Sequence, residues 1–136
     1  MPTYHGSCDC DAVQFDAVIE KPAEAIVCHC NECKIRYGAF STVYPVPDDK
    51  YTITKGEENL KSWSYAGDSG NPVPCTFCSI CGTNLYREPV PFAGNKIVIV
   101  GTLKEPFFKE EIKPSGFVYG KAKLGWVSST GLKDLD

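Results

Sequence analysis

Hydrophobic and polar positions alternate along much of this chain with a period of two, the spacing of a strand that buries one face. Val13, Phe15 and Ala17 alternate with polar neighbours before Val18 and Ile19 break the pattern. Tyr51 with Ile53, and Trp63 with Tyr65, suit half-buried strands in the same way. Asn95 to Leu103 contains the β-branched run Val98, Ile99 and Val100 and predicts a central strand. Turn-forming clusters separate these runs at Pro45–Asp49, Lys55–Glu57, Ala66–Pro72 and Phe92–Asn95. Only Asn31 to Tyr37 has the character of a short helical turn. The pattern predicts a mostly β protein of about eight short strands.

Size and charge narrow the class. A chain of 136 residues, 43% hydrophobic and 23% charged, suits one globular domain over residues 1–136. The net charge of −3 comes without a basic stripe, which argues against a nucleic-acid backbone as partner. The longest unbroken apolar run, Ile97 to Val100, is far too short to span a bilayer. The opening Met-Pro-Thr-Tyr-His-Gly has neither the basic nor the apolar region of a secretory leader, and the closing Gly-Leu-Lys-Asp-Leu-Asp has no lipidation motif. The expectation is a soluble, cytoplasmic protein.

Eight cysteines change the picture. They fall in three clusters: Cys8-Asp9-Cys10, Cys28-His29-Cys30-Asn31-Glu32-Cys33, and Cys75-Thr76-Phe77-Cys78-Ser79-Ile80-Cys81-Gly82. In a reducing compartment, and in a chain of this size, disulfide staples are not needed, so metal ligation is the expected use. Zinc takes four ligands at tetrahedral angles, with Zn–S near about 2.3 Å. Cys78 to Gly82 has the form of a knuckle, because Gly accepts the positive φ that closes such a turn. The ligands divide in two ways. Two closed four-cysteine sites use every sulfur; one four-cysteine and one three-cysteine site leave one spare. The middle cluster fills three corners of a tetrahedron unaided. Its fourth corner is open, as in catalytic zinc sites, unless Cys75 fills it.

Taken in order, Gly6-Ser7-Cys8-Asp9-Cys10-Asp11, Cys28-His29-Cys30-Asn31-Glu32-Cys33 and Phe77-Cys78-Ser79-Ile80-Cys81-Gly82 resemble the motifs of the glutathione-dependent formaldehyde-activating enzymes, a family grouped with centromere protein V. The segment from Ile112 to Val127 resembles the family's closing part, so the likeness runs from Gly6 to Leu132. The resemblance implies a zinc-stabilised β-tent of small antiparallel sheets with cysteine knuckles, holding two zinc ions per chain. Cys8, Cys10, Cys78 and Cys81 match the structural site. Cys28, Cys30 and Cys33 match the catalytic site with an open position. The implied activity is that of a carbon–sulfur lyase, interconverting S-hydroxymethylglutathione with formaldehyde and glutathione, and the implied partner is therefore a small-molecule thiol. Asp11 stands where the family has Gly, a change that left-handed Asp accommodates. Cys75 lies outside the pattern.

The chemistry is coherent. Zinc held by three thiolates is a weak source of hydroxide and a suitable soft site for sulfur. A thiol in the fourth position can attack a carbonyl carbon. The His-x-Glu signature of zinc deaminases is absent, since Cys30-Asn31 follows His29. Glu32 reads first as a solvated knuckle residue and second as a proton shuttle. His29 reads as a packing or hydrogen-bonding residue rather than a ligand. Lys34 and Arg36 read as a solvated cationic face, with a glutathione carboxylate as the sharper alternative. Tyr37 and Gly38 are expected beside the open metal, and Phe40, Trp63 and Trp126 in the core or a pocket wall. The competing functions are a non-catalytic protein-binding module closed by Cys75, and a same-fold enzyme acting on an imine or another aldehyde.

Overall fold

The computed structural model describes residues 2–127. It is mostly β, with strands β1 (Thr3–Ser7), β2 (Gln14–Val18), β3 (Ala25–Cys28), β4 (Ser41–Pro47), β5 (Tyr51–Lys55), β6 (Leu60–Ala66), β7 (Pro72–Cys78), β8 (Asn84–Arg87), β9 (Asn95–Ile99) and β10 (Pro114–Val118). Two short helices, α1 (Asn31–Tyr37) and α2 (Glu105–Phe108), accompany them. Strands β1-β2-β5 form a three-stranded sheet, and β10-β3-β4-β9-β8-β7-β6 a seven-stranded one. Every pairing is antiparallel except that of β10 with β3.

The alternation in β2 does what its spacing predicts: Phe15 and Ala17 are buried between the sheets. Phe15 stacks on Tyr51 at 4.7 Å, and Tyr51 meets Tyr86 of the larger sheet at 5.2 Å. Tyr86, Val98 and Val46 belong to this core. The next row across the sheet pairs Trp63 with Cys75, Cys75 with Arg87, Arg87 with Ile97, and Ile97 with Pro45. Because neighbouring positions of a strand face opposite ways, this row looks away from the core. The candidate site is built on that second face.

Several elements depart from the sequence pattern. β9 is central in its sheet but ends at Ile99; Val100–Leu103 continues as a 3-10 turn with Val100 and Leu103 fully buried. Pro45 and Pro47 lie in β4 rather than in a turn. β3 pairs only with Ser41 to Val43, so beyond that point β4 is an edge on that side, where proline's missing N–H is tolerated. Trp63 is 56% exposed, because β6 is an edge strand, and Trp126 is also exposed; neither is a core or cavity-wall residue. The part of the family likeness beyond Val127 lies outside the described residues.

One glycine is required by its surroundings. Gly56 has φ +81°, and a Cβ there would sit 1.8 Å from the Ala12 carbonyl oxygen. It lets the β5–β6 turn close against the loop that carries the first cysteines. No helix of the described residues is long and apolar enough to cross a membrane.

Candidate metal centres

Two groups of sulfurs converge. The Sγ atoms of Cys8, Cys10, Cys78 and Cys81 all lie within 4.8 Å of one another. Cys10 is 3.6 Å from Cys8 and 3.9 Å from Cys78. A zinc ion with about 2.3 Å bonds requires sulfurs about 3.8 Å apart, so this donor set fits a tetrahedral ion. Local backbone chemistry shapes both knuckles. Gly82 adopts φ +78° and returns its N–H to the Cys78 carbonyl at 2.8 Å. Asp11 adopts φ +62°, as a left-handed Asp can. Its carboxylate accepts from Ser7 Oγ at 2.7 Å and from Lys104 Nζ at 3.1 Å. Those two partners hold it below the usual carboxylate range. Thr83 links the knuckles, accepting the Asp9 N–H at 3.1 Å and lying 3.2 Å from Cys81 Sγ.

The second group is Cys28, Cys30 and Cys33. Cys28 ends β3, Cys30 caps α1 by accepting the Cys33 N–H at 3.3 Å, and Cys33 is buried in the first turn. Cys30 and Cys33 are 3.2 Å apart. Ser41 Oγ lies 3.1 Å from Cys33 Sγ, and the buried Arg87 donates from Nη1 to Cys33 at 3.0 Å and more distantly to Cys30 at 3.8 Å. Burial opposes the Arg87 charge, but the Cys33 and Cys28 sulfurs outweigh it and raise its pKa. Hydrogen bonds with Cys28 and Cys33 hold the Cys30 thiol well below its usual range, and the same crowding pushes Cys33 up. Cys30 is thus the sulfur of the trio that ionises most readily, and Arg87 is a fixed cation beside the group; three clustered thiols are the donor set of a soft metal site.

Among the described residues, no fourth Cys, His, Asp or Glu joins the trio. Cys75 is buried, and its Sγ contacts the Val73 carbonyl at 3.8 Å. It sits three positions before Cys78 on β7, so the two sulfurs leave opposite faces of the strand. Burial raises its pKa.

A cavity of about 670 Å³ reaches Cys28 and Cys30 and includes Arg87 in its wall. Val43, Val73 and Ile97 line it from the sheet, and Tyr65 supplies a phenol. Burial, opposed by Arg87, pushes the Tyr65 pKa up to about 12, so the phenol keeps its proton at neutral pH.

Other expected residues are placed differently. Glu32 lines the cavity but is no freely solvated side chain: it accepts from Arg36 Nε at 3.1 Å, and both side chains are mostly buried. Arg36 also lies over Trp63 at 5.2 Å, and Lys34 donates to the Ala122 carbonyl at 2.5 Å. Neither cation is a bare surface charge. His29 is buried against Phe40 and Phe117, with ring centroids 5.6 and 5.9 Å away. Its Nδ1 has no partner among the described residues, and burial, helped by Lys123 and Lys34, lowers its pKa. Phe40 is 38% exposed rather than in the core. Tyr37 borders a separate pocket with Thr83 and Lys104, and Gly38 ends α1, so neither lines the cavity. Arg87, Ser41 and Tyr65 are the polar groups that sequence reasoning missed at this site. The one available signal was a charge in the strand Asn84-Leu85-Tyr86-Arg87, directly after two apolar positions.

Comparison with known proteins shows the family and the fold. Residues 3–122 match the family model for glutathione-dependent formaldehyde-activating enzyme. An uncharacterized lyase of Schizosaccharomyces pombe is 36% identical over 90 residues, 63% of this chain and 58% of that protein's length. A crystal structure of a Rhodobacter sphaeroides protein shares the fold with a TM-score of 0.65, at 21% identity, covering 83% of this chain and 98% of that one.

Proposed function

Because the chain belongs to the glutathione-dependent formaldehyde-activating enzyme family, we propose that it is a zinc-dependent carbon–sulfur lyase acting on a glutathione–aldehyde adduct of the S-hydroxymethylglutathione kind. The observation that carries this reading is the trio of sulfurs at a cavity, with no fourth protein ligand among the described residues. Cys8, Cys10, Cys78 and Cys81 would hold the structural ion of the pair, and Cys28, Cys30 and Cys33 the other. Zinc at that second site would supply soft Lewis acidity suited to a sulfur ligand.

The chain's own residues do the rest. Arg87 offsets the negative charge of the cysteine thiolates and fixes Cys33, which lets a further anionic sulfur approach. Tyr65, protonated at neutral pH, is a neutral donor for the carbonyl oxygen of the aldehyde. In the joining direction the thiolate sulfur forms a bond to the carbonyl carbon, the C=O π electrons move to oxygen, and the oxygen takes up the proton that the thiol lost on ionising to become a hydroxyl. In the cleaving direction the hydroxyl proton departs, the C–S electrons return to sulfur, and the aldehyde leaves. No oxidant or reductant takes part. The thiol partner is glutathione, and the protein works in the cytoplasm.

The test is exchange NMR on formaldehyde and glutathione at equilibrium with their adduct. The zinc-loaded protein is expected to speed the interconversion, and the Cys30→Ser variant to leave it at the spontaneous rate. Equal rates with both proteins contradict the proposal.

A further inference from the structure

The cavity is more apolar than the carboxylate-bearing tripeptide of a one-carbon glutathione adduct needs. Its volume of about 670 Å³ lies in the range of pockets for whole organic ligands. Val43, Val73 and Ile97 are almost fully buried, yet they line the cavity and stand apart from the main core between the sheets. They come from β4, β7 and β9, on the face that also carries Arg87. The turn before β9 adds Val90, Pro91 and Phe92 to the lining. Val90 is 54% and Phe92 50% exposed, so apolar surface remains there for a ligand to cover.

The charged groups point the same way. Arg87 is committed to the cysteine sulfurs, and Glu32 to Arg36. Asp68, on the β6–β7 turn, adds a further acid to the lining. No uncommitted cation lines the cavity among the described residues, so its interior favours an uncharged group over a carboxylate. An apolar group suits that interior.

Resting on the reading of the trio as a thiol–carbonyl site, we propose that the preferred adduct carries an apolar alkyl or aryl group of several carbons on its aldehyde-derived part. That group sits against Val43, Val73 and Ile97 and is covered by Val90 and Phe92. The reaction is unchanged: the C–S bond breaks, sulfur keeps the electron pair, the hydroxyl proton leaves, and the larger aldehyde is released. Each buried methylene raises affinity by a factor of about four.

The experiment titrates the zinc-loaded protein with S-methylglutathione, S-hexylglutathione and the peptide-free amides acetamide and hexanamide. Affinity is read by calorimetry and contact by the methyl NMR signals of Val43, Val73 and Ile97. S-hexylglutathione is expected to bind at least about tenfold more tightly than S-methylglutathione and to shift those methyls. In a Val90→Ala/Phe92→Ala variant, which alters only exposed side chains, that preference is expected to shrink at least about threefold while S-methylglutathione affinity is kept. Equal affinities for the two conjugates, or shifts only elsewhere, overturn the proposal. If neither conjugate binds but hexanamide shifts the three methyls and acetamide does not, the apolar pocket stands and the glutathione reading fails. If hexanamide also leaves them unmoved, the apolar pocket is overturned.

Discussion

Arg87 and Cys33 lie 54 positions apart in the chain and meet at 3.0 Å, a buried guanidinium donating to a buried sulfur. Three cysteine thiolates around a divalent ion carry a net negative charge, and burying such a charge without a counter-ion is costly. On the proposed reading Arg87 would be that counter-ion. β8 delivers it to the cavity face because Tyr86, one position earlier, is turned into the core.

Replacing this cation should therefore weaken one metal site and spare the other. Arg87→Met is expected to lower zinc affinity at the second site by about 10- to 100-fold, the usual effect of losing such a supporting group. Arg87→Lys should recover part of it, and the four-cysteine site should be unchanged. Stepwise competition with a chelator measures both constants. A loss shared equally by the two sites would show that Arg87 acts only through the fold.

The four-cysteine site ties the loop after β1 to the turn after β7, and much of the chain lies between them. Zinc binding of this kind contributes about 10 kcal/mol or more of apparent folding free energy, comparable with the whole stability of a domain. Cys78→Ala is expected to give insoluble or unfolded protein. A soluble Cys78→Ala protein with an unchanged Tm contradicts the structural role.

The three-cysteine group is local in sequence and braces much less of the chain. Cys33→Ala should keep a folded protein, lower the metal content towards one zinc per chain, and abolish the adduct exchange. Circular dichroism, elemental analysis and the exchange assay read the three effects separately. Unfolding as complete as that of Cys78→Ala would mean the two roles are reversed.

Gly56 supplies a test that involves no metal ligand. A side chain there meets the Ala12 carbonyl at 1.8 Å and must also adopt φ +81°. Both penalties apply, so Gly56→Ala is expected to destabilise the protein by about 2 kcal/mol or more. Denaturant unfolding of the zinc-loaded protein measures it, and a change under about 0.5 kcal/mol, the level of an ordinary surface substitution, would contradict the packing described.

Much of this was legible in the sequence because it is local. Val13, Phe15 and Ala17 carry their own period, Gly82 and Asp11 mark knuckle turns, and the short helix over Asn31–Tyr37 appears where its sequence places it. Strands β3 and β10 were not legible. Ala25–Cys28 is too short to show a period, and Pro114–Val118 is exposed along its whole length, so it has no buried face to alternate with. Trp63 misled for a related reason: period two predicts that one face is covered, but not which strand lies at a sheet edge. Arg87 and Ser41 reach the trio through pairing across the sheet. That register is a property of the fold rather than of any motif.

The central claim is that Cys28, Cys30 and Cys33 hold a metal with a position free for a thiol, and that Cys75 stays outside. Zinc-edge X-ray absorption on the two-zinc protein tests it most directly. An average of about three and a half sulfurs per zinc is predicted, rising towards four on addition of glutathione and unchanged in Cys75→Ser. Four sulfurs per zinc without added thiol, falling in Cys75→Ser, would mean a closed site and would contradict the lyase account.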